Sequence, residues 1–162
     1  MKFLFVILLA PILSFGQTVH VKDKKIEYSG TEKIEGKSAE EIFKSIRDKL
    51  PIIIGGYKPE KQSSISVEAR GSFKLATPYR LQRTVSYSFE FKAKNNGYEY
   101  LIDSVSFTDQ ERGGKPVTKS SEEMLDNMGE TGKIVGDTEK ILNETDMRFQ
   151  QIIALIKSSI QK

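Results

Sequence analysis

The clearest two-residue alternation in the chain runs through "RTVSYSFEFKAK". Val85, Tyr87, Phe89, Phe91 and Ala93 fall on one side, and Ser86, Ser88, Glu90 and Lys92 on the other. Successive side chains of a strand point to opposite faces, so this segment predicts a half-buried antiparallel strand. Asn96-Gly97 follows, the strongest short hairpin signal, because a type I′ turn needs positive φ at both central residues. With those two as the loop, Ala93 faces Tyr100 and Phe91 faces Ile102 on the apolar side. The same register sends Val105 and Phe107 to the polar side. One extra residue near Asp103–Ser104 would bring them back, so a bulge is expected there.

Two segments carry the helical period instead. In "KSAEEIFKSIRDKLP", Ile42, Phe43, Ile46 and Leu50 share one face, Ser38 and Glu41 have the spacing of a capping box, and Pro51 is the expected stop. In "DTEKILNETDMRFQQIIALIKSSIQK", a stripe of Ile141, Leu142, Thr145, Phe149, Ile152, Ile153, Ile156 and Ile160 runs over about six turns. A helix so long and one-sided needs a sheet to lie on.

Shorter signals fill the rest. "KKIEYSGTEKIEG" reads as a first strand with Gly30 as a bulge or bend. Ile52–Ile54 reads as a short buried strand or the lining of a cavity, and Gly55-Gly56 with Pro59 as a loop. A further strand is expected over 65–75, bent at Gly71. Residues 108–136 are polar and glycine-rich, with room for one helical turn at "SEEMLDN", and read as a long loop.

The N-terminus changes the picture of where the protein works. The apolar run from Phe3 to Leu13 is far below the roughly 20 residues that span a bilayer. It follows Lys2 and precedes the small residues Ser14 and Gly16, the layout of a secretory leader cleaved after Gly16. Residues 1–16 are therefore expected to be a signal peptide, and 17–162 a single exported domain, periplasmic or secreted. Gln17 stands where a lipoprotein would need cysteine, and the chain has none. The hydrophobic core must then hold the fold without disulfides. The formal charge is only +3, with both signs interspersed, which gives no electrostatic footprint for nucleic acid or anionic lipid. No second run approaches membrane-spanning length.

The strings "IEYSGTEKIEGKSAEEIFKSIRDKL", "ARGSFKL" and "FEFKAKNNGYEYLIDSVSF" resemble an exported bacterial family of domains of unknown function, family 4468, described as having a TATA-binding-protein-like fold. The similarity covers most of 24–107 and the final helix. It implies an α+β fold in the order β-α-β-β-β-(β)-α, a curved antiparallel sheet with two helices on one face. A helix-grip (Bet v 1-like) arrangement is the alternative. The resemblance supplies no function, and DNA binding does not follow from a shared fold.

Candidate chemistry is sparse. The single histidine, His20, stands three residues after the expected mature terminus, and neither a triad nor a multi-histidine metal site can be built from it. "NMGETGKI" departs from a phosphate loop at Asn127 and Ile134. The acids Asp109, Glu111, Glu122, Glu123, Asp126, Asp137 and Glu139 lack calcium-loop spacing. No catalytic, metal or cofactor residues are assigned. The expected function is a non-catalytic binding or envelope-associated module, with a protein or other envelope component as partner. Two alternatives are a helix-grip carrier of an apolar ligand and a hydrolase using acids of 108–136. If both helices cover one face of the sheet, the other is the candidate partner surface. It should carry Thr84, Ser86, Ser88, Glu90 and Lys92, with Glu99 and Leu101 on the neighbouring strand.

Overall fold

The structure is a computed structural model and describes residues 20–76, 81–126 and 137–161. The expected leader and its cleavage point lie outside them, as does the phosphate-loop-like string. Two short strands, β1 (Val21–Lys22) and β2 (Lys25–Ile26), form a hairpin. There follow β3 (Tyr28–Lys33), helix α1 (Ala39–Arg47), the helical turn α2 (Leu50–Ile53), and strands β4 (Lys58–Gln62), β5 (Ser66–Leu75), β6 (Leu81–Lys94), β7 (Gly97–Glu111) and β8 (Val117–Ser120). Helices α3 (Ser121–Asp126) and α4 (Asp137–Ile160) complete the order. Six strands form one antiparallel sheet in the order β3-β7-β6-β5-β4, with β8 on the same edge of β7 as β3.

The expected capping box opens α1: the Ser38 hydroxyl accepts from the Glu41 N–H at 3.3 Å, and the Ser38 N–H donates to the Glu41 carboxylate at 2.8 Å. Its Ile42, Phe43 and Ile46 are buried against the sheet. Pro51 does not end this helix, which stops at Arg47; it sits in the first turn of α2, where a missing N–H leaves no bond unmade. The three isoleucines are accordingly not a strand, and Ile52 and Ile53 line a cleft of about 220 Å³ against α4. Ile53 and Ile54 are buried while Ile52 points into solvent.

The bulge lies where the hydrophobic pattern requires it. Ser86 pairs with Ser106 but Ser88 with Asp103, so β7 holds one residue more than β6 across this step. Ser104 takes φ 51°, and Val105 and Phe107 return to the core, both 2 % exposed. The turn is displaced from expectation. Lys94 pairs with Gly97, so the loop is Asn95-Asn96, and the opposed pairs are Ala93–Tyr98, Phe91–Tyr100 and Phe89–Ile102. The shift is two residues, so every side chain keeps its face. Gly97 is needed for another reason: a Cβ there would meet the Glu32 carbonyl of β3 at 2.5 Å.

Gly30 and Gly71 likewise make no bulge, since the register runs unbroken through both. Each pairs directly with a tyrosine on the next strand, Tyr100 and Tyr87, whose ring lies over it and occupies the space a Cβ would take. The expected loop at Pro59 is the edge strand β4, which is exposed throughout and tolerates proline for that reason. The expected long loop is largely ordered as well: 108–111 extend β7, β8 returns along it, and α3 follows; 127–136 are outside the described residues.

Helix α4 buries its predicted stripe, with Phe149 at the centre and Ile153 half-buried. The Phe149 ring meets Tyr87, Tyr28 and Phe73 at centroid distances of 5.0, 5.1 and 5.4 Å. Both α1 and α4 pack on this one face. The opposite face carries no helix among the described residues.

Candidate functional site

Alternation along four strands builds the open face. Because β3, β7, β6 and β5 pair in register, their outward residues line up in rows across the sheet. One row is Thr31, Glu99, Lys92 and Ser66; the next is Ser29, Leu101, Glu90 and Glu68, continued by Lys61 on β4. A groove of about 610 Å³ runs across these two rows. Glu90, Lys92, Glu99 and Leu101 line it, as the sequence suggested, together with Ser29, Thr31, Ser66 and Glu68, which it did not. The missed residues lie on β3 and β5, and their alignment depends on non-local pairing that no local signal encodes. Thr84, Ser86 and Ser88 share the face but stand farther along β6, in rows with Thr108, Ser106 and Asp103.

The charges here are unevenly satisfied. Lys94 pairs with Glu99, Lys61 with Glu68 at 2.6 Å, and Arg70 with Glu60 at 2.6 Å. The carboxylate partners hold Lys61 and Arg70 above their ordinary pKa, chiefly through those hydrogen bonds. Glu90 stands directly opposite Glu68, a like-charge pair that costs stability, and beside Leu101. Neither Glu90 nor Lys92 forms an ion pair among the described residues.

Four of the acids of the hydrolase reading, Asp109, Glu122, Glu123 and Asp126, are engaged elsewhere. Asp109 accepts two bonds from Arg83, at 2.5 and 2.6 Å. Glu123 accepts from the Ser120 N–H at 2.7 Å, and Lys24 approaches Asp126 at 3.7 Å. Glu122 faces Lys25 and is held below the usual carboxylate range, first by its own backbone N–H and then by the Ser120 and Ser121 hydroxyls. A general acid needs the opposite displacement. Among the described residues no group of three or more His, Cys, Asp or Glu side chains could hold a metal ion.

The carrier reading needs space between sheet and α4; the aromatic cluster fills it around Phe149, while a cleft of about 220 Å³ opens beside it between Ile52, Ile53, Phe73, Gln151, Ile152 and Leu155. A buried polar link crosses this layer: the Tyr28 hydroxyl donates to Asp146 at 2.7 Å. Burial, and then this bond, push the Tyr28 pKa well up. His20 does not fray; its carbonyl accepts from the Glu27 N–H and its ring lies edge-on to Tyr28.

No protein-family model and no curated protein matches the chain. Solved structures do. A TBP-like protein from Parabacteroides distasonis superposes with a TM-score of 0.70 at 18 % identity, over 89 % of this chain and 97 % of that one. A DUF4468 family protein from Bacteroides ovatus gives 0.63 at 14 % identity, over 88 % and 91 %. The resemblance carried by the sequence strings thus extends to the whole fold, which is TBP-like α+β. No helix among the described residues is long and apolar enough to cross a membrane.

Proposed function

We propose that the protein is a divergent member of the DUF4468 group, exported by residues 1–16, that acts as a non-catalytic binding module of the cell envelope. Its partner is a protein or another envelope component, held on the open face of the sheet. The observation that carries this reading is the groove across β3, β7, β6 and β5, lined by the exposed charges Glu90 and Lys92 beside the half-buried Leu101. A sheet face can stay solvated without any role. A groove that sets Glu90 directly opposite Glu68 accepts a like-charge repulsion that a merely solvated face has no need to keep.

The double charge reversal Glu90→Lys, Lys92→Glu tests it. Surface substitutions of this kind change stability by about 0.5 kcal/mol or less. Bait carrying them should therefore fold normally and lose the envelope component that wild-type bait retains. Equal recovery by both baits would leave this face as solvated surface only.

A further inference from the structure

The sheet ends in β3 on one side and β4 on the other, and the two edges are built differently. β4 is guarded: it carries Pro59, exposes Lys58, Glu60 and Lys61, and its register slips between Pro59 and Lys61. Each of these features discourages pairing with another chain. β3 has no proline and keeps an unbroken register of six residues against β7. The Ile34 N–H donates to the Asn96 carbonyl, which fixes the alternation: Tyr28, Gly30 and Glu32 turn their backbone groups toward β7, and Ser29, Thr31 and Lys33 turn theirs away. Those three residues have no backbone partner among the described residues. Glu27, next on the same side, already donates to the His20 carbonyl, and after Ile34 the chain enters a turn in which Gly36 takes φ 77°. Among the described residues the open edge is thus three residues long and centred on Thr31.

We propose that this edge pairs with β3 of a second copy, antiparallel about a two-fold axis at Thr31. In that register Thr31 faces Thr31 and Ser29 faces Lys33 on both sides. The open groups then form about six backbone hydrogen bonds, and no like charges are opposed. A one-residue slip would put inward side chains against outward ones. A two-residue slip would need either the occupied Glu27 amide or the turn after Ile34. The symmetric register is therefore the one that satisfies every open group, which favours a second copy over an unrelated peptide. Ser29 and Thr31 also line the groove, so the pairing would set two grooves side by side on one continuous sheet. This inference does not depend on what the groove binds.

Sedimentation equilibrium on the exported protein tests it. Wild type should pass from monomer to twice the monomer mass over ~10–100 μM, the range suited to a small interface. Thr31→Pro removes an outward N–H without touching the bonds to β7, and should stay monomeric with an unchanged circular dichroism spectrum. Should that variant misfold, Thr31→Lys sets two ammonium groups face to face across the axis and should weaken dimerisation at least ~10-fold. A wild type that is monomeric throughout overturns the proposal, and slow amide exchange at Thr31 in that monomer would assign the edge to another segment of the same chain. A dimer that neither variant weakens overturns it equally.

Discussion

At the scale of single residues, the sheet rests on a few close approaches that its sequence half-reveals. Gly30 and Gly71 look like breakers, yet they are seats for the rings of Tyr100 and Tyr87. The Tyr87 hydroxyl, carried over Gly71, is buried without a hydrogen-bond partner among the described residues. Asp146 was invisible in the α4 stripe because a carboxylate on an apolar face reads as an interruption; the structure pairs it with Tyr28. Conversely, a type I′-like turn forms at Asp23-Lys24, with φ of 49° and 61°, where no glycine or asparagine announces one. The buried tyrosines carry a pH dependence with a definite sign. Burial raises the Tyr28 and Tyr87 pKa well above the ordinary value of 10.0 and pushes Tyr98 up to about 12. The native state thus holds protons that the unfolded chain releases. Stability from these groups is fully present below pH ~10 and is lost as pH rises through the native-state values. The urea midpoint should be flat from about pH 7 to 9 and fall above ~10, with the tyrosinate absorbance of Tyr28, Tyr87 and Tyr98 appearing only as the protein unfolds. Full tyrosinate absorbance in a still-folded protein would contradict the burial.

At the scale of elements, what was legible was what is local or periodic. α1 and its capping box, the stripe of α4, the alternation of β6 and the Ser104 bulge all follow from patterns contained within one or two segments. The bulge could be anticipated because the register conflict involved two strands joined by a tight turn. β4 was missed because an edge strand has no buried face to mark it, and charges with proline read as loop. β8 left no mark in the local pattern for the same reason, since Val117, Thr118 and Lys119 are all exposed, and only the family resemblance allowed for an optional strand before the last helix. The central role of Phe149 is testable directly. Its fully buried ring touches three other aromatic rings, so Phe149→Ala should cost ~3–5 kcal/mol. A denaturation midpoint equal to wild type would show that α4 does not lie on the sheet as described.

At the scale of the whole molecule, the layout of one covered and one open sheet face was readable, because all the helical stripes and one strand set are apolar while the other strand set is polar. The groove was only half readable: β6 and β7 are neighbours through a hairpin, but β3 and β5 reach it by long-range pairing. Export is the other molecular-scale expectation. N-terminal sequencing of protein from periplasm or medium should begin at Gln17, and an intact Met1 on cytoplasmic protein would contradict the leader reading. The central claim, that the open face holds the partner, is tested most directly by a photo-crosslinking side chain placed at single positions in the living cell. At Ser88 and Leu101 on the open face it should yield discrete adducts. At Met147, on the exposed side of α4, it should yield none. Adducts at Met147 with none at Ser88 or Leu101 would move the binding surface to the helical side and contradict the account.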